Sequence, residues 1–349
     1  MGVKFIPFSF RDYKGDSIHY DGRAIFSYGT PIVSIIGARR IGKTFTCKHK
    51  IIKDFLSKGY KFVWLRDNDE ARRRLAENKG AKFFSDMSKI PSKSFKELNG
   101  EIDGNTIKIN GETAGYLMPC STFQNYKGND FEEIKNIVYD EFIPERNKRN
   151  TGHSGWEAVN SILTIASYRK DLRIMFLANA LDRGNEILQI FGINIKEYGI
   201  YVNREKGVSL HYADNNPKFD MKRKDSIMGK LLAGTEYEAN LFNNKFADDA
   251  NQMVDKRPAK AKLICCLHGY DYTSIRLYLA DGLLYVWRDI NKDAHPNSRY
   301  VNDITLVTTR LQLITPDLLK AIKNSFALKQ VYFENAFCRN TFIDIIKRR

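Results

Sequence analysis

The sequence predicts an α/β fold: a mostly parallel sheet with crossover helices, followed by a linker and a compact α+β region. Over the first 200 residues, short apolar runs alternate with amphipathic helical patterns, as in chains that build parallel sheets. After about residue 205 the chain becomes polar and rich in asparagine, and strand-like runs return from about residue 256. We therefore expect a first domain over 1–205, a hinge over 206–255 and a second domain over 256–349.

The first domain is expected to contain strands rich in β-branched and aromatic residues. They are 32–36, 61–66, 136–140 and 172–179. Amphipathic patterns over 44–59 and 155–170 predict crossover helices. The segment 101–119 alternates in polarity and has turn glycines at Gly104 and Gly111, which predicts a small antiparallel insertion.

The remaining elements are predicted in the same way. The hinge contains one short helical pattern around 226–234. In the second domain, strand-like runs cover 261–270 and 274–290, and Asp281–Gly282 between apolar arms predicts a two-residue hairpin. Helical patterns over 316–328 and 335–349 end the chain.

Composition limits the class of protein. The 349 residues are 43% hydrophobic, and no run approaches the roughly 18 to 20 apolar residues that span a bilayer, so no membrane anchor is expected. The amino-terminal segment has no signal-peptide pattern, so no export is expected. The five cysteines are scattered without metal-ligand spacing and are expected to be reduced thiols, with Cys265 and Cys266 in a strand core. A net charge of +15 is compatible with a polyanionic partner but does not require one.

The segment GARRIGKT fits the phosphate-loop pattern G-x-x-x-x-G-K-[ST], with a strand before it and a helix after it. Its backbone N–H groups would hold phosphates at a helix N-terminus, Lys43 would add a positive charge, and Thr44 would ligate Mg²⁺. ATP and Mg²⁺ are therefore the expected cofactors. The expected nucleotide-binding residues are Gly37, Ala38, Arg39, Arg40, Ile41, Gly42, Lys43, Thr44 and, at the end of the neighbouring strand, Arg66.

The segment IVYDE, 137–141, ends a strand in two acids, at the edge where open α/β sheets bind ligands. Asp140 would hold Mg²⁺, and Glu141 would orient and deprotonate the attacking water. Asn179 ends the next strand and would sense the γ-phosphate or the water, although an ordinary strand-end cap explains it as well. The adjacent acids favour ATP hydrolysis over a switch or a kinase.

Arginines near these motifs are candidates for an arginine finger, acting in cis or in a neighbouring subunit. A surface or DNA-facing charge is the alternative for each of them, and we rank Arg169 first. The candidates are Arg39, Arg40, Arg66, Arg169 and Arg173.

Several of these motifs occur together in one known family. GARRIGKT, VWLRD, IVYDEF, FLANA and especially GKLLAGTEY through ANLFNNKF, in this order, resemble the DNA-packaging ATPases of phi29-like podophages. The resemblance covers nearly the whole chain.

The resemblance implies a P-loop ASCE-type ATPase that drives double-stranded DNA into a procapsid as a pentameric ring at the portal vertex. It further implies a packaging RNA as partner, a location in the cytoplasm of the infected bacterial host, and a C-terminal RNase H-like domain without nuclease activity. Another ASCE motor such as a helicase, or a nucleotide-gated binding protein, is the alternative.

The chain departs from the family pattern at the finger. An ungapped comparison places Ser167 where the trans-acting arginine is expected, and Arg169 follows two residues later. For a nuclease, only Asp271 falls where the first strand of an RNase H-like fold could supply a ligand, since the hairpin explains Asp281.

Basic clusters are either solvated faces or contacts to nucleic-acid phosphates, and the sequence does not separate DNA-facing from RNA-facing ones. They are 72–74, 145–150, 222–224 and 347–349.

Overall fold

The computed structural model describes most of the chain, which divides into two compact units. The described residues are 2–13, 19–120, 131–143, 154–166, 169–179, 185–235, 252–254, 256–269, 273–289 and 298–347. The first unit comprises residues 1–181 and 190–246, and the second comprises 182–189 and 247–349.

The first unit is built on a ten-stranded sheet. Its strands in chain order are β1 (Lys4–Ile6), β2 (Ile32–Gly37), β3 (Lys61–Arg66), β4 (Gly100–Asp103), β5 (Thr106–Ile109), β6 (Glu112–Pro119), β7 (Ile134–Asp140), β8 (Arg173–Asn179), β9 (Gly199–Asn203) and β10 (Val208–Tyr212).

The spatial order of the strands is β1-β9-β10-β2-β8-β7-β3-β6-β5-β4. The block from β10 to β6 is parallel throughout, and antiparallel strands extend the sheet at both ends. The predicted α/β fold with a mostly parallel sheet is therefore confirmed. All four predicted strands are present within two residues of their expected bounds.

Residues 1–246 also form several helices. Over residues 1–246 the described helices are Arg23–Ser27, Lys43–Lys58, Asp69–Phe84 with a non-helical interruption at 77–80, Lys93–Lys96, Ser154–Ala166, Glu186–Phe191, Pro217–Lys224 and Ile227–Leu232, and the 3-10 turns are Phe10–Asp12 and Met87–Lys89. Helix Lys43–Lys58 buries Cys47, Ile51 and Ile52 in the core beside Trp64 of β3. It ends at Gly59, whose φ of 67° is the left-handed conformation that glycine adopts without strain. Both predicted crossover helices are thus present.

The antiparallel insertion is also present, as β4, β5 and β6, with positive φ at Gly104 and Gly111. The insertion is an integral part of the sheet, because β6 pairs parallel with β3.

The expected domain boundary at residue 205 is wrong for the sheet. Residues 199–212 form the β9–β10 hairpin, and β10 pairs with β2 through its whole length. The polar residues Ser209 and His211 made this strand read as linker, but both are fully buried and hydrogen-bonded, to Thr30 and Tyr20. The short helix expected around 226–234 is present as Ile227–Leu232.

The second unit contains a six-stranded sheet in the order β15-β14-β11-β12-β13-β16. Its strands are β11 (Lys262–His268), β12 (Ser274–Ala280), β13 (Leu283–Arg288), β14 (Arg299–Val301), β15 (Gln312–Leu313) and β16 (Val331–Phe333). Helices Pro316–Ala327 and Ala336–Lys347 pack on one face, over a core that includes Leu277, Val286 and Phe342. A 3-10 turn covers Ile304–Leu306.

The α+β character predicted for the second region is confirmed. Strand β12 pairs antiparallel with both β11 and β13. Strand β14 runs parallel to β11, and β15 runs parallel to β14. The predicted hairpin turns at Asp281 and Gly282, with φ of 51° and 76°, the left-handed pair of a tight hairpin. Cys265 and Cys266 are buried in β11, as expected.

The described part of the chain contains several helices. No helix there has both the length and the apolar character needed to cross a bilayer.

Candidate active site

The phosphate loop connects β2 to helix Lys43–Lys58. Gly42 precedes this helix with a φ of 107°, a conformation that L-residues rarely adopt. Gly37 ends β2, and a Cβ there would lie 2.7 Å from Ile41 Cδ1, the movable end of a side chain. The backbone conformation therefore favours glycine at position 42 in particular.

Lys43 turns its ammonium back onto the loop. Its Nζ donates to Gly37 O at 3.0 Å, Ala38 O at 2.6 Å and Asn179 Oδ1 at 3.2 Å. Burial lowers the pKa of Lys43 to about 8, against the opposing charges of Asp140 and Glu141. Among the described residues, the direct partners of this buried cation are neutral oxygens, an environment in which an anionic ligand would be strongly attracted.

Asp140 lies at the end of β7, next to the first turn of the helix. Thr44 Oγ1 donates to Asp140 Oδ1 at 3.3 Å. Burial raises the pKa of the Asp140 carboxyl, and the Arg66 guanidinium opposes that rise. A hydroxyl and a carboxylate oxygen in contact form a donor set that suits Mg²⁺.

Arg66 joins the two acids from the end of β3. Its Nη1 donates to Asp140 and its Nη2 donates to Glu141, while its Nε is buried without a hydrogen-bond partner. Glu141 has a φ of 64° and a side chain that is 58% exposed. One guanidinium therefore holds the expected metal ligand and the expected base together.

These side chains meet because β2, β8, β7 and β3 are adjacent and parallel, so their carboxyl ends share one edge of the sheet. In the pairing of β2 with β8, Gly37 lies opposite Asn179, which puts the amide beside the loop. Of the predicted site residues, the loop, Lys43, Thr44, Asp140, Glu141, Asn179 and Arg66 come together here, with Arg39 and Arg40 exposed on the loop.

Arg169 does not reach this site. It donates to Phe131 O at 2.7 Å and Ile134 O at 2.6 Å, and its Nε bonds Asp171 at 3.0 Å. Ile134 begins β7 and Asp140 ends it, so the guanidinium lies about 20 Å away at a rise of roughly 3.3 Å per residue. This distance excludes a finger role in cis, and a role in trans would require the guanidinium to leave these acceptors. Ser167 lies outside the described residues.

Arg173 is the remaining arginine candidate, and the basic clusters are described in part. Arg173 Nη1 lies 3.9 Å from Asp54 Oδ2, outside the site. In the cluster 72–74 each arginine forms an ion pair with an acid of its own helix, Asp69 or Glu70. Residues 145–150 and 348–349 lie outside the described residues, whereas Lys222 and Lys224 are exposed.

Sequence reasoning missed a segment that supports the loop. Tyr20 donates its N–H to Ile41 O at 2.7 Å, and Thr46 Oγ1 donates to Tyr20 O at 3.2 Å. Residues 19–22 are thereby fixed along the loop and the first helical turn. No local sequence pattern predicts this contact, because Tyr20 makes it through backbone N–H and C=O groups that other residues also have.

Comparison with known proteins identifies the family. The family model for the podovirus DNA encapsidation protein (Gp16) matches residues 14–349 of this chain. The chain belongs to this family.

One relative matches nearly the full length of this chain, and another matches about two thirds of it. It is 24% identical to the DNA packaging protein of Bacillus phage phi29 over 342 residues, which are 95% of this chain and 98% of the relative. It is 29% identical to the DNA packaging protein of Bacillus phage B103 over 244 residues, 69% and 72% of the two chains. A chain of the bacteriophage Phi-29 viral genome packaging motor assembly has the same fold, with a TM-score of 0.64, 20% identity and coverage of 95% and 99%.

Proposed function

We propose that this DNA encapsidation protein hydrolyses ATP with Mg²⁺ and uses the energy to move double-stranded DNA into a procapsid. The observation that carries the proposal is the convergence of Lys43, Thr44, Asp140 and the Arg66–Glu141 pair at one edge of a parallel sheet. This set contains a phosphate-binding cation, two oxygen ligands and a carboxylate base.

Each residue has a distinct task. The loop N–H groups and Lys43 bind the phosphates, and Thr44 and Asp140 would hold Mg²⁺, which neutralises charge on the β- and γ-phosphates. Glu141 accepts the proton of the attacking water once Arg66 no longer engages it. Asn179, at the end of β8, accepts a hydrogen bond from Lys43 Nζ. A change at the γ-phosphate that moves Lys43 would therefore alter this hydrogen bond.

The orders of the strands in the two sheets support two assignments: an ASCE ATPase fold for the first unit and an RNase H-like fold for the second. Strand β8 lies between the loop strand β2 and the acidic strand β7, the arrangement that distinguishes ASCE ATPases. In the second unit, β13-β12-β11-β14-β15 has the order and strand directions of an RNase H-like sheet. We therefore retain both assignments.

We propose that the second unit does not cut DNA. Over the described residues, no group of three or more His, Cys, Asp or Glu side chains lies in positions to hold a metal ion. The buried Asp289 accepts from Arg276 Nε at 2.9 Å and Ser274 Oγ at 2.8 Å. Asp271 lies outside the described residues. Nicking of plasmid by the pure protein with Mg²⁺ or Mn²⁺, lost in Asp271→Ala, would overturn this assignment.

The partners follow from family membership and charge. We propose a pentameric ring at the portal vertex, with packaging RNA and the procapsid as partners, in the cytoplasm of the infected host. A net charge of +15 supports contacts to nucleic-acid phosphates, which would hold DNA without reading its sequence and so permit movement.

The deciding experiment is steady-state ATPase activity with and without double-stranded DNA, beside Lys43→Ala and Glu141→Gln. We expect stimulation by DNA that both variants lose, with Glu141→Gln still binding ATP and turning over roughly 10²- to 10⁴-fold more slowly. An unchanged rate in Glu141→Gln would refute the assignment of the base.

The ATPase assay and a strand-separation assay distinguish the alternatives. Turnover that ignores DNA, even with procapsids added, would indicate a nucleotide-gated binding protein. Strand separation on a tailed duplex would indicate a helicase.

A further inference from the structure

The phosphate loop has two flanks, and the hydrolytic residues occupy only one of them. Strand β8 lies on one side of β2, and Asn179, Asp140 and Glu141 all lie in that direction. Strand β10 lies on the other side, and its carboxyl end reaches the same edge of the sheet because it is parallel to β2. The residues that follow β10 therefore flank the loop opposite the hydrolytic set.

Two chain segments pack against the loop on this second flank. Ala213 donates its N–H to Ile36 O at 2.8 Å, which ties the chain after β10 to the end of β2. His19 lies beside the last loop residue, since a Cβ added to Gly42 would be 3.4 Å from His19 Cβ. Both segments thus lie against the loop or the end of the strand that precedes it.

Side chains from the two segments form one cluster. The buried Phe219 ring, on helix Pro217–Lys224, meets the His19 ring edge to face, with centroids 5.8 Å apart. The Arg223 guanidinium lies 5.5 Å from the centre of the same Phe219 ring. Phe219 therefore holds two planar polar groups, an exposed imidazole and a half-buried guanidinium, next to the loop.

The electrostatics place this cluster close to the loop as well. Burial lowers the pKa of Arg223, Asp220 opposes this, and the positive charge of Arg40 lowers it further. Arg40 is a loop residue, so the helix after β10 and the loop are near enough for their charges to interact.

We propose that His19 and Arg223, supported by Phe219, bind the base of the nucleotide whose phosphates the loop holds. The inference rests on the proposed ATP binding and adds the site for the nucleoside end. The γ-phosphate must face Asp140 and Glu141, so the base extends toward the opposite flank. Imidazole and guanidinium groups stack on the face of any base, and the guanidinium adds a cation–π attraction.

The test compares two ligands that differ by the nucleoside. ATP carries a base and inorganic triphosphate does not, so calorimetric affinities for both separate base binding from phosphate binding. We expect His19→Ala and Arg223→Ala to bind ATP about tenfold more weakly or worse, with unchanged affinity for inorganic triphosphate. His19→Phe keeps a stacking ring and should retain ATP affinity.

Matched controls identify the cause of any loss. Lys224→Ala removes the same charge from the same helix at an exposed position and should leave ATP affinity unchanged. Lys43→Ala should weaken both ligands. A wild-type protein that binds both ligands equally, or variants that lose both in parallel, would overturn the inference. A folded wild-type protein that binds neither ligand would overturn the proposed ATPase function itself.

Discussion

Arg66 Nη1 lies 2.9 Å from Asp140 Oδ2, and Arg66 Nη2 lies 2.7 Å from Glu141 Oε2. A single guanidinium thus spans the buried acid and the exposed one. The two acids have opposite roles in the proposed reaction, since Asp140 must keep its negative charge to bind a metal and Glu141 must be released to accept a proton. Arg66 is therefore expected to affect both metal binding at Asp140 and proton transfer to Glu141.

We predict that Arg66→Ala destabilises the protein by about 3 kcal/mol, because it leaves the buried Asp140 without its ion-pair partner. The pKa of Asp140, already raised by burial, should rise further once the opposing guanidinium is gone. Urea denaturation measures the loss in free energy of unfolding. Arg66→Lys is the control: it should recover part of the stability, but a single ammonium lacks the fork that spans both acids. Equal stability of Arg66→Ala and wild type would refute the role of the ion pair.

Gly42→Ala should weaken nucleotide binding, because alanine at a φ of 107° is strained and the loop must relax away from the phosphate-binding conformation. Gly59→Ala provides a matched control, since Gly59 also has a positive φ, at the other end of the same helix and in open space. Both variants should lose roughly 1 to 2 kcal/mol of stability. Only Gly42→Ala should lose ATP affinity, and equal affinities in calorimetry would contradict the prediction.

Asp214 should make stability depend on pH. It accepts a hydrogen bond from Phe10 N at 2.8 Å, and burial raises its pKa from 3.8 to about 6, with Asp12 adding to the rise and Arg11 opposing it. The folded state therefore holds the proton more tightly than the unfolded state. Its contribution to stability is complete below pH 3.8 and is lost as the pH rises through about 6.

Asp214→Asn tests this dependence while keeping an acceptor for the Phe10 N–H. The melting temperature of the wild type should fall more between pH 4.5 and pH 7.5 than that of the variant. Parallel falls in the two proteins would show that other groups cause the dependence.

Arg169→Ala should lower stability, because the guanidinium holds the carbonyls of Phe131 and Ile134 at the start of β7. A role in trans has a separate signature: mixing Arg169→Ala with Glu141→Gln would then restore activity, since each supplies what the other lacks. Because the arginine is engaged by its own chain, we expect no recovery in titrated mixtures. Recovery above the sum of the separate activities would establish Arg169 as the finger.

The parts of the site that the sequence predicted depend on local patterns. Lys43 and Thr44 occupy fixed places after two glycines, and Asp140 and Glu141 end an apolar run. Strand parallelism then brings these motifs to one edge. The fold class, the four predicted strands of the first domain and most of the residues that meet at this edge could therefore be predicted from the sequence.

The parts that were missed depend on contacts between distant residues. Strand β10 contains Ser209 and His211, which read as surface positions until their partners Thr30 and Tyr20 are known. Arg169 was placed near the site by its position after a helix, but its carbonyl acceptors lie at the opposite end of β7. No short pattern encodes such partners.

The position of β10 also determines when a newly made chain can complete its first sheet. The ribosome releases the phosphate loop early, but β10, which completes one side of β2, and the helix that follows it emerge only after most of the first unit has been synthesised. Until then β2 has an open edge, a surface prone to pairing with other chains. Partly synthesised chains are therefore expected to be prone to association through this edge until β10 has paired with β2.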